Sequence, residues 1–305
     1  MRKSTFVAVL LVCAVVAAIG FARAEDSPKP SPSSSSSVTP SPTPTPLPTL
    51  SPYKLDLKPG EKHSYEITWQ NISGGTGDIK VMEKVKDADS TYYLLHMSAS
   101  SSPLVSVFYK VEDLFVSRVD PKTGRALRFE RHIREGKTYR EETVDFDYAA
   151  QKAYYVQTKN IKNPPRKMEF PLPSSVLDPL SALFYLRGVD LQPGETVRLP
   201  MHSNEEDWAL NLKVSAIVGL RVTGIGKFSA YKLMPQTKED ALFMAKGAMT
   251  VWVEKTTRVI LKAEVNIPIG SVVIRLVRAE NSPLETVNRA EKRRRWIRPG
   301  TKDIP

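Results

Sequence analysis

The chain has 305 residues and a formal net charge of +11, with 44 Lys and Arg against 33 Asp and Glu. Its only cysteine, Cys13, lies in an N-terminal segment that we expect to be cleaved, so disulfides, thiolate metal sites and cysteine nucleophiles are excluded from the mature protein. Residues 1–24 carry +3 and residues 285–305 carry +4, which leaves +4 for the rest. Residues 25–284 are therefore only mildly basic, which makes nucleic acid a poor candidate partner.

The N-terminus has the pattern of a secretory signal peptide. Arg2 and Lys3 precede an almost wholly apolar stretch at 6–21, and Ala22 and Ala24 provide the small residues of a cleavage site. The apolar stretch is shorter than the ~18 to 20 residues that span a bilayer, and an uncleaved anchor is the alternative. We predict a signal peptide at 1–24, cleavage near Ala24, and a periplasmic or secreted protein.

Residues 25–57 are dominated by Ser, Pro and Thr, with an unbroken run of serine at 33–37. Such a composition offers little apolar surface to bury, so we predict a disordered, extended linker. A glycosylated stalk or a Pro-rich ligand segment is the alternative. The linker would hold the following domain away from a surface.

Residues 58–281 form the predicted domain, in which apolar and polar residues alternate with period two. Turn signals separate the alternating segments every ~8 to 12 residues, which favours a sandwich or barrel. We predict a mainly β fold: a curved antiparallel sheet, or an open barrel or half-barrel. The predicted strands lie near 64–69, 79–84, 114–119, 126–133, 143–147, 208–216, 228–234, 247–253, 259–267 and 271–277.

One helix is predicted among the strands, at 178–187. Asp178 occupies the N-cap position and Pro179 the first helical position, where its missing N–H costs nothing. Gly188 is placed to end the helix. Leucines and Phe184 give the segment a broad apolar surface, which must be buried against a sheet. The sequence therefore predicts one buried helix inside the curved sheet.

Several short motifs follow one another in a fixed order along the body. They are Gly60-Glu-Lys-His-Ser-Tyr65 with Trp69, Thr143-Val-Asp-Phe-Asp147, Asp178-Pro-Leu-Ser-Ala182 with Tyr185-Leu-Arg187, Gly226-Lys-Phe228, Trp252-Val253 and Ile269-Gly270. In this order they resemble the exported bacterial family called domain of unknown function 3108, over about residues 58–280. The resemblance implies a periplasmic β-rich domain without an assigned activity. A weaker, architectural likeness is to periplasmic carriers of lipoproteins and lipids, whose half-barrel holds acyl chains.

No catalytic, metal or cofactor motif stands out in the sequence. The four histidines are widely separated, and none has a second histidine at the spacing of a metal site. Asp145 and Asp147 lie two residues apart on one predicted strand and therefore face the same way, which would allow acid/base chemistry. A solvated strand face, or pairing with a cation such as Arg140, accounts for them better. We therefore expect no cofactor and no enzyme activity.

Aromatic side chains are the better candidates for a binding site, because they could line a concave sheet face that takes an apolar ligand. Arg187, at the helix end, would either pair with a carboxylate or bind an anionic head-group. The alternative is that the aromatic residues are core. The candidate ligand-binding residues are Trp69, Tyr109, Tyr185, Arg187 and Trp252.

Residues 282–305 form a predicted basic, disordered tail. Its cations stand beside Trp296, a combination that suits an anionic membrane or cell-wall polymer, although a solvated terminus is the simpler interpretation. The candidate surface-docking residues are Lys292, Arg293, Arg294, Arg295 and Trp296.

Three functions remain open at this point. The first is a binding or carrier-like domain for an apolar or amphiphilic envelope molecule, with a lipid, a lipoprotein or a cell-wall polymer as partner. The second is a structural or interaction protein of the envelope, and the third is an enzyme acting on glycans. An apolar groove that the helix does not fill would favour the first.

Overall fold

The computed structural model describes residues 47–51, 53–86, 90–159, 163–203, 206–236, 249–267 and 270–288. Within them, fourteen strands form one antiparallel sheet. The predicted signal peptide at 1–24 and the basic residues at 292–296 lie outside the described residues.

The main helix divides the strands into two groups. Before it come β1 (Lys62–Trp69), β2 (Ile72–Lys86), β3 (Thr91–Ser101), β4 (Glu112–Val119), β5 (Ala126–Glu135), β6 (Thr138–Asp147), β7 (Lys152–Thr158) and β8 (Arg166–Pro171). After it come β9 (Thr196–Ser203), β10 (Glu206–Val222), β11 (Gly226–Gln236), β12 (Met249–Glu254), β13 (Ile260–Ile267) and β14 (Gly270–Glu280). The helices are α1 (Pro103–Ser106) and α2 (Pro179–Tyr185), which continues into a 3-10 turn at Leu186–Gly188. Residues 284–288 are also helical.

The sheet is two meanders joined through their outer strands. Its order is β8-β7-β6-β5-β4-β3-β2-β1-β14-β13-β12-β11-β10-β9, so pairing between β1 and β14 connects the two groups. Strands β8 and β9 are the two edges, and the sheet does not close into a barrel. Register shifts at Ser64/Tyr65, Val81/Glu83 and Val214/Ala216 mark bulges, which bend a sheet. The predicted curved, open antiparallel sheet is confirmed.

The two edges approach each other through side chains. The ring of His202 on β9 lies edge-on to Phe146 of β6, with centroids 5.2 Å apart, and 6.4 Å from the ring of Phe170 on β8. The segment before α2 covers the β9 edge, because the Leu177 N–H donates to Pro200 O (2.9 Å) and the His202 N–H donates to Leu177 O (2.8 Å). These contacts protect an edge that would otherwise pair with another chain.

The sequence pattern did not predict four of the strands: β3, β7, β8 and β9. In β3 the outward-facing Tyr92 and Leu94 are also apolar, which obscures the period of two. Strand β9 is buried on both faces from Leu199 to Ser203, so its apolar residues do not alternate. Edge strand β8 has no fully buried residue and gives a weak signal.

Helix α2 lies inside the curve of the sheet, as predicted. Leu180 and Phe184 pack into the apolar core of β3–β7, while Ala182 and Tyr185 pack into the core formed with β9–β12. The helix therefore contacts both halves of the sheet, and burial of each of its larger apolar side chains is worth about 1.5 to 3 kcal/mol.

The domain begins earlier than predicted. Leu50, Leu55 and Leu57 are buried, and the Leu55 N–H donates to Pro121 O (2.9 Å). The described residues of the predicted linker at 50–51 and 53–57 are thus packed against the sheet through these leucines, and the boundary at 57/58 was wrong. Three leucines among Ser, Pro and Thr supply enough apolar surface for this packing. We call residues 50–57 the N-terminal strap.

The domain also ends later than predicted. Ser282 and Leu284 are buried, although the basic tail was predicted to start at 282. Ser282 Oγ is hydrogen-bonded to Nε2 of His63 (2.7 Å), and the Asn288 side-chain amide donates to Ile225 O (3.2 Å). Residues up to at least Asn288 therefore belong to the body.

Candidate ligand-binding site

The start of helix α2 is fixed by a buried capping box. Asp178 Oδ1 accepts from the N–H groups of Leu180 (2.8 Å) and Ser181 (2.9 Å), and Ser181 Oγ accepts from the Asp178 N–H (2.9 Å). The other oxygen, Oδ2, accepts from Ser117 Oγ of β4 at 2.6 Å. Burial raises the pKa of Asp178. The cap therefore sets both the first turn of the helix and its position against β4.

A cavity of about 110 Å³ lies between α2 and the middle of the sheet. Pro179 and Leu183 of the helix form one wall. Strands β1–β4 and β12–β14 form the rest, with apolar side chains on rows that face the helix. The principal apolar side chains of the sheet wall are Ile67, Ile79, Phe115, Val251, Ala263 and Ile274. The helix thus covers the concave face without filling it.

Tyr65 and Asp78, two of the few polar residues at the cavity, have other partners. Tyr65 Oη donates to Ile260 O at 3.2 Å, and burial is the main cause that raises the pKa of this phenol. The carboxylate of Asp78 pairs with Lys62 (3.2 Å) and Lys80 (3.4 Å), which lie on the opposite face of the sheet. A ligand in the cavity would therefore meet hydrocarbon rather than hydrogen-bonding groups.

The cavity is open on one side. Leu183, Ile79 and Val251 in its wall are only half-buried, as is Met249 at the start of β12. Half-buried apolar side chains facing one space mark an entrance, because they would be fully covered if the core were closed.

The sequence-predicted residues Tyr185 and Arg187 lie on the helical segment but do not line this cavity. Tyr185 is buried, its hydroxyl donates to Ser51 O of the N-terminal strap (2.7 Å), and its ring lies edge-on to that of Tyr53. Arg187 is engaged by Glu61: Nη1 donates to Oε2 at 3.0 Å, and Nη2 donates to Oε1. Of the two roles considered for Arg187, the structure shows the carboxylate partner.

The other three predicted residues are dispersed over the molecule. Trp69 lies at the end of β1, and Tyr109 lies after α1, where its hydroxyl donates to Glu135 Oε2 (3.4 Å). Trp252 is on β12, with Nζ of Lys262 4.6 Å from its ring centroid.

Of the five predicted residues, none lines the cavity between α2 and the sheet. Sequence reasoning missed the aliphatic lining residues, because isolated Ile, Val and Ala in strands look like ordinary core.

A buried ion pair and a histidine stand where β1 begins. Nδ1 of His63 lies 3.6 Å from Glu61 Oε1, and His63 is almost fully buried. Burial, and secondarily the charge of Arg187, lower the pKa of His63 to about 3. The imidazole is therefore neutral at physiological pH and serves as a hydrogen-bonding partner of Ser282.

A second polar cluster lies on the concave face of β5–β7. Arg131 and Glu142 form an ion pair, and the Gln157 side-chain amide donates to Glu142 Oε1 (2.6 Å). Burial alone would raise the pKa of Glu142, but the nearby guanidinium groups of Arg131 and Arg140 outweigh it and lower the pKa. A void of only about 10 Å³ adjoins this cluster, which is room for about one water.

Asp145, Asp147 and His202 each make hydrogen bonds within the sheet or its turns. Asp145 forms a two-oxygen ion pair with Arg128 (2.8 and 2.9 Å) rather than with Arg140, and Asp147 Oδ1 accepts from the N–H groups of the turn at Ala149 and Ala150. Nδ1 of His202 is bonded to Asp207 (2.7 Å). Among the described residues, no group of three or more His, Asp or Glu could hold a metal ion.

Comparison with known sequences identifies the family. The model of the protein family of unknown function DUF3108 matches residues 64–277. The chain belongs to the DUF3108 family. This assignment confirms the resemblance found in the ordered motifs of the body. No curated relative matches this DUF3108 protein.

The solved structures that are similar to this DUF3108 protein include proteins from three bacteria. A beta-barrel-like protein of domain of unknown function DUF1849 from Brucella abortus has a TM-score of 0.48 and 10% identity, covering 74% of this chain and 99% of the other. A candidate exported protein with a YmcC-like fold from Bacteroides fragilis has a TM-score of 0.34 and 10% identity, with coverages of 76% and 100%. A candidate lipoprotein from Parabacteroides distasonis has a TM-score of 0.27 and 6% identity, with coverages of 75% and 99%.

In the part of the DUF3108 protein that the structure describes, we find no helix with the length and hydropathy to cross a membrane.

Proposed function

We propose that this protein is an exported envelope protein that binds the apolar part of an amphiphilic molecule in the cavity beneath helix α2. The observation that carries the proposal is an open, apolar cavity between a helix and the concave face of a sheet. The predicted N-terminal signal peptide supports the envelope as the place where it acts.

The size of the cavity limits what it can hold. An engineered cavity of about 150 Å³ lined by similar side chains accepts benzene, so about 110 Å³ suits a short hydrocarbon segment. A complete lipid would not fit. We therefore propose that the end of an acyl or prenyl chain enters, while the polar head of the ligand stays outside.

The lining favours a hydrocarbon over a sugar. Each buried CH₂ group contributes about 0.8 kcal/mol, whereas a hydroxyl without a hydrogen-bonding partner costs about 1 to 3 kcal/mol. The phenol of Tyr65 and the carboxylate of Asp78 are both committed elsewhere. A glycan would leave its hydroxyl groups unpaired in this cavity.

A cavity-filling substitution tests the proposal. Ala263 is a buried lining residue, and Ala263→Leu would place an isobutyl group in the space proposed for the ligand. We expect at least about tenfold weaker binding of the fluorescent fatty acid cis-parinaric acid, together with an unchanged or higher midpoint of unfolding. Because the variant would be no less stable, lost binding could not be attributed to unfolding.

Thr250→Leu is the matched control. Thr250 is next to the lining residue Val251 on β12 and therefore points to the opposite face of the sheet. The control should bind the probe like the wild type. Equal binding by Ala263→Leu and wild type would overturn the proposal.

Native mass spectrometry of the protein purified from its own envelope gives an independent test. We expect a co-purifying lipid that solvent extraction releases. If the purified protein consistently carries no lipid and does not bind cis-parinaric acid, a structural or interaction role in the envelope would be favoured.

A further inference from the structure

The most exposed large apolar side chains of the described residues are concentrated in one short segment. Leu104, Val107 and Phe108 are 66%, 77% and 76% exposed, in and just after helix α1. Ile72, the first residue of β2, is 52% exposed. We call residues 69–74, where β1 turns into β2, and the segment at 102–108 together the apolar tip. Four protruding apolar side chains on one end of a sheet indicate an interaction surface rather than chance exposure.

Hydrogen bonds hold the two parts of the apolar tip together. The Ser102 N–H donates to Gly74 O (2.9 Å), and Ser102 Oγ donates to Ser73 O (3.0 Å). Ser106 is fixed in turn, since its N–H donates to Ser102 O (2.8 Å) and its hydroxyl is bonded to that of Ser101 (2.7 Å). The apolar side chains are therefore presented outward by an ordered turn.

The sequence around the tip contains no charge. There is no Asp, Glu, Lys or Arg between Glu66 and Asp78, none between Tyr93 and Lys110, and none between Glu264 and Arg275. These segments include the β1–β2 turn, the β3–β4 connection, the end of β13 and the start of β14, which lie at one end of adjacent strands. At the opposite end, the connections of the same strands carry charges, as in Asp120-Pro-Lys-Thr-Gly-Arg125 and Lys255-Thr-Thr-Arg258. At this end of the sheet the three central connections are therefore uncharged, whereas the β5–β6 turn beside them carries Lys137.

Exposed cations lie just before β4 and on the β5–β6 hairpin, next to the tip. Lys110 and Lys137 are brought together because the Gly136 N–H donates to Lys110 O (2.8 Å), and Arg134 is exposed on the same hairpin. Of the three acidic residues on the same strand ends, Asp113 and Glu135 are buried, and the exposed Glu112 pairs with Lys110 at 2.9 Å. The exposed apolar side chains of the tip match the hydrocarbon of a lipid surface, and the neighbouring cations match its anionic head-groups.

The apolar tip is also next to the cavity. Ile67, Gly77 and Ala99 line the cavity and lie in the same uncharged segments that form the tip. We propose that the apolar tip docks this protein onto an anionic lipid surface, with Leu104, Val107 and Phe108 entering the hydrocarbon boundary. This proposal does not depend on ligand binding in the cavity, because the three inserting side chains are not part of its lining.

Vesicle co-sedimentation tests the docking proposal. The chain beginning at Glu25 would be mixed with phosphatidylcholine/phosphatidylglycerol vesicles at about 0.5 M NaCl, where a Debye length on the order of 4 Å suppresses purely electrostatic contacts, including any made by residues 292–296. We expect binding to persist in the wild type. The triple variant Leu104→Ser/Val107→Ser/Phe108→Ser should bind at least about tenfold more weakly, because it removes the inserted apolar area.

The matched control removes apolar surface elsewhere. Met82, Ile217 and Val277 are 43%, 41% and 47% exposed and lie outside the apolar tip. The triple variant Met82→Ser/Ile217→Ser/Val277→Ser should bind vesicles within about twofold of the wild type. Comparable vesicle binding by both triple variants would overturn the proposal.

Two further measurements distinguish docking onto lipid from ligand binding in the cavity and from dimer formation. Ala263→Leu should bind vesicles like the wild type even when it no longer binds cis-parinaric acid. The docking proposal and the ligand-binding proposal can therefore fail separately. Analytical ultracentrifugation tests whether the tip instead joins two copies of the chain. A dimer that the tip variant dissociates, with vesicle binding unchanged, would contradict docking to lipid.

Discussion

The guanidinium of Arg187 donates hydrogen bonds to both carboxylate oxygens of Glu61, 126 residues earlier in the chain. The pair joins the end of the helical segment to the start of β1, and the guanidinium also lies over the ring of Phe184, 4.6 Å from its centroid. Because α2 forms one wall of the cavity, this ion pair contributes to the position of that wall.

Loss of one partner of this pair should be strongly destabilising. Arg187→Met keeps an apolar stem but leaves the carboxylate of Glu61 buried without its cation. We expect a loss of about 3 to 5 kcal/mol in the free energy of unfolding, measured by urea denaturation. The double variant Arg187→Met/Glu61→Gln should recover a substantial part of the loss. No recovery would show that the charge of Glu61 is not the reason.

His63 should make stability depend on pH. Its pKa is about 3 in the folded protein and 6.5 ordinarily, so between these values the unfolded chain binds a proton that the folded protein does not. The contribution of His63 to the free energy of unfolding is therefore present above pH 6.5. It is lost as the pH drops toward 3, by about 1.4 kcal/mol per pH unit. Urea denaturation from pH 7.5 to 4.5 measures the slope.

The matched variant for this effect is His63→Gln, whose amide can keep a hydrogen bond to Ser282. Other titrating groups stay in place, so the difference in slope between wild type and variant isolates His63. Parallel slopes below pH 6 would rule out a neutral, buried imidazole in the folded protein.

The cap of helix α2 should depend on the shape of Asp178 more than on its charge. Asp178→Ala removes the acceptor of two backbone N–H groups and of the Ser117 hydroxyl, and should cost about 2 to 3 kcal/mol. Asp178→Asn keeps a hydrogen-bond acceptor and replaces a carboxyl group whose pKa is raised by burial. Its cost in the free energy of unfolding should therefore be below about 1 kcal/mol. Thermal and urea unfolding of both variants measure this difference. Equal costs would indicate that the negative charge is essential.

The N-terminal strap should be part of the stable domain. A chain that starts at Lys58 lacks the buried Leu50, Leu55 and Leu57, and should lose several kcal/mol relative to one that starts at Leu47. Tyr185→Phe removes only the hydrogen bond to Ser51 and should cost about 1 kcal/mol. The two truncated chains should differ clearly in urea midpoint. Identical midpoints would show that the strap adds no stability.

Local patterns predicted the local parts of this structure well. Asp178 and Pro179 identified the start of the helix, because capping depends on residues within one turn. Alternation predicted β13 and β14, where one strand face is buried and the other wet. The strap was wrongly predicted as linker because three leucines in a Ser/Pro/Thr-rich stretch change the composition little but bury almost completely.

The sequence by itself determined an exported-type leader pattern, a mainly antiparallel sheet and one buried helix, since each depends on charge, composition or periodicity over neighbouring residues. Only the tertiary structure decided which residues form the cavity, because Ile67, Val251 and Ala263 come from strands far apart in the chain and meet only through sheet pairing. It also assigned Arg187 to Glu61 and joined two uncharged turns into one apolar tip. These contacts depend on strand order and curvature, which the period of a single strand does not encode.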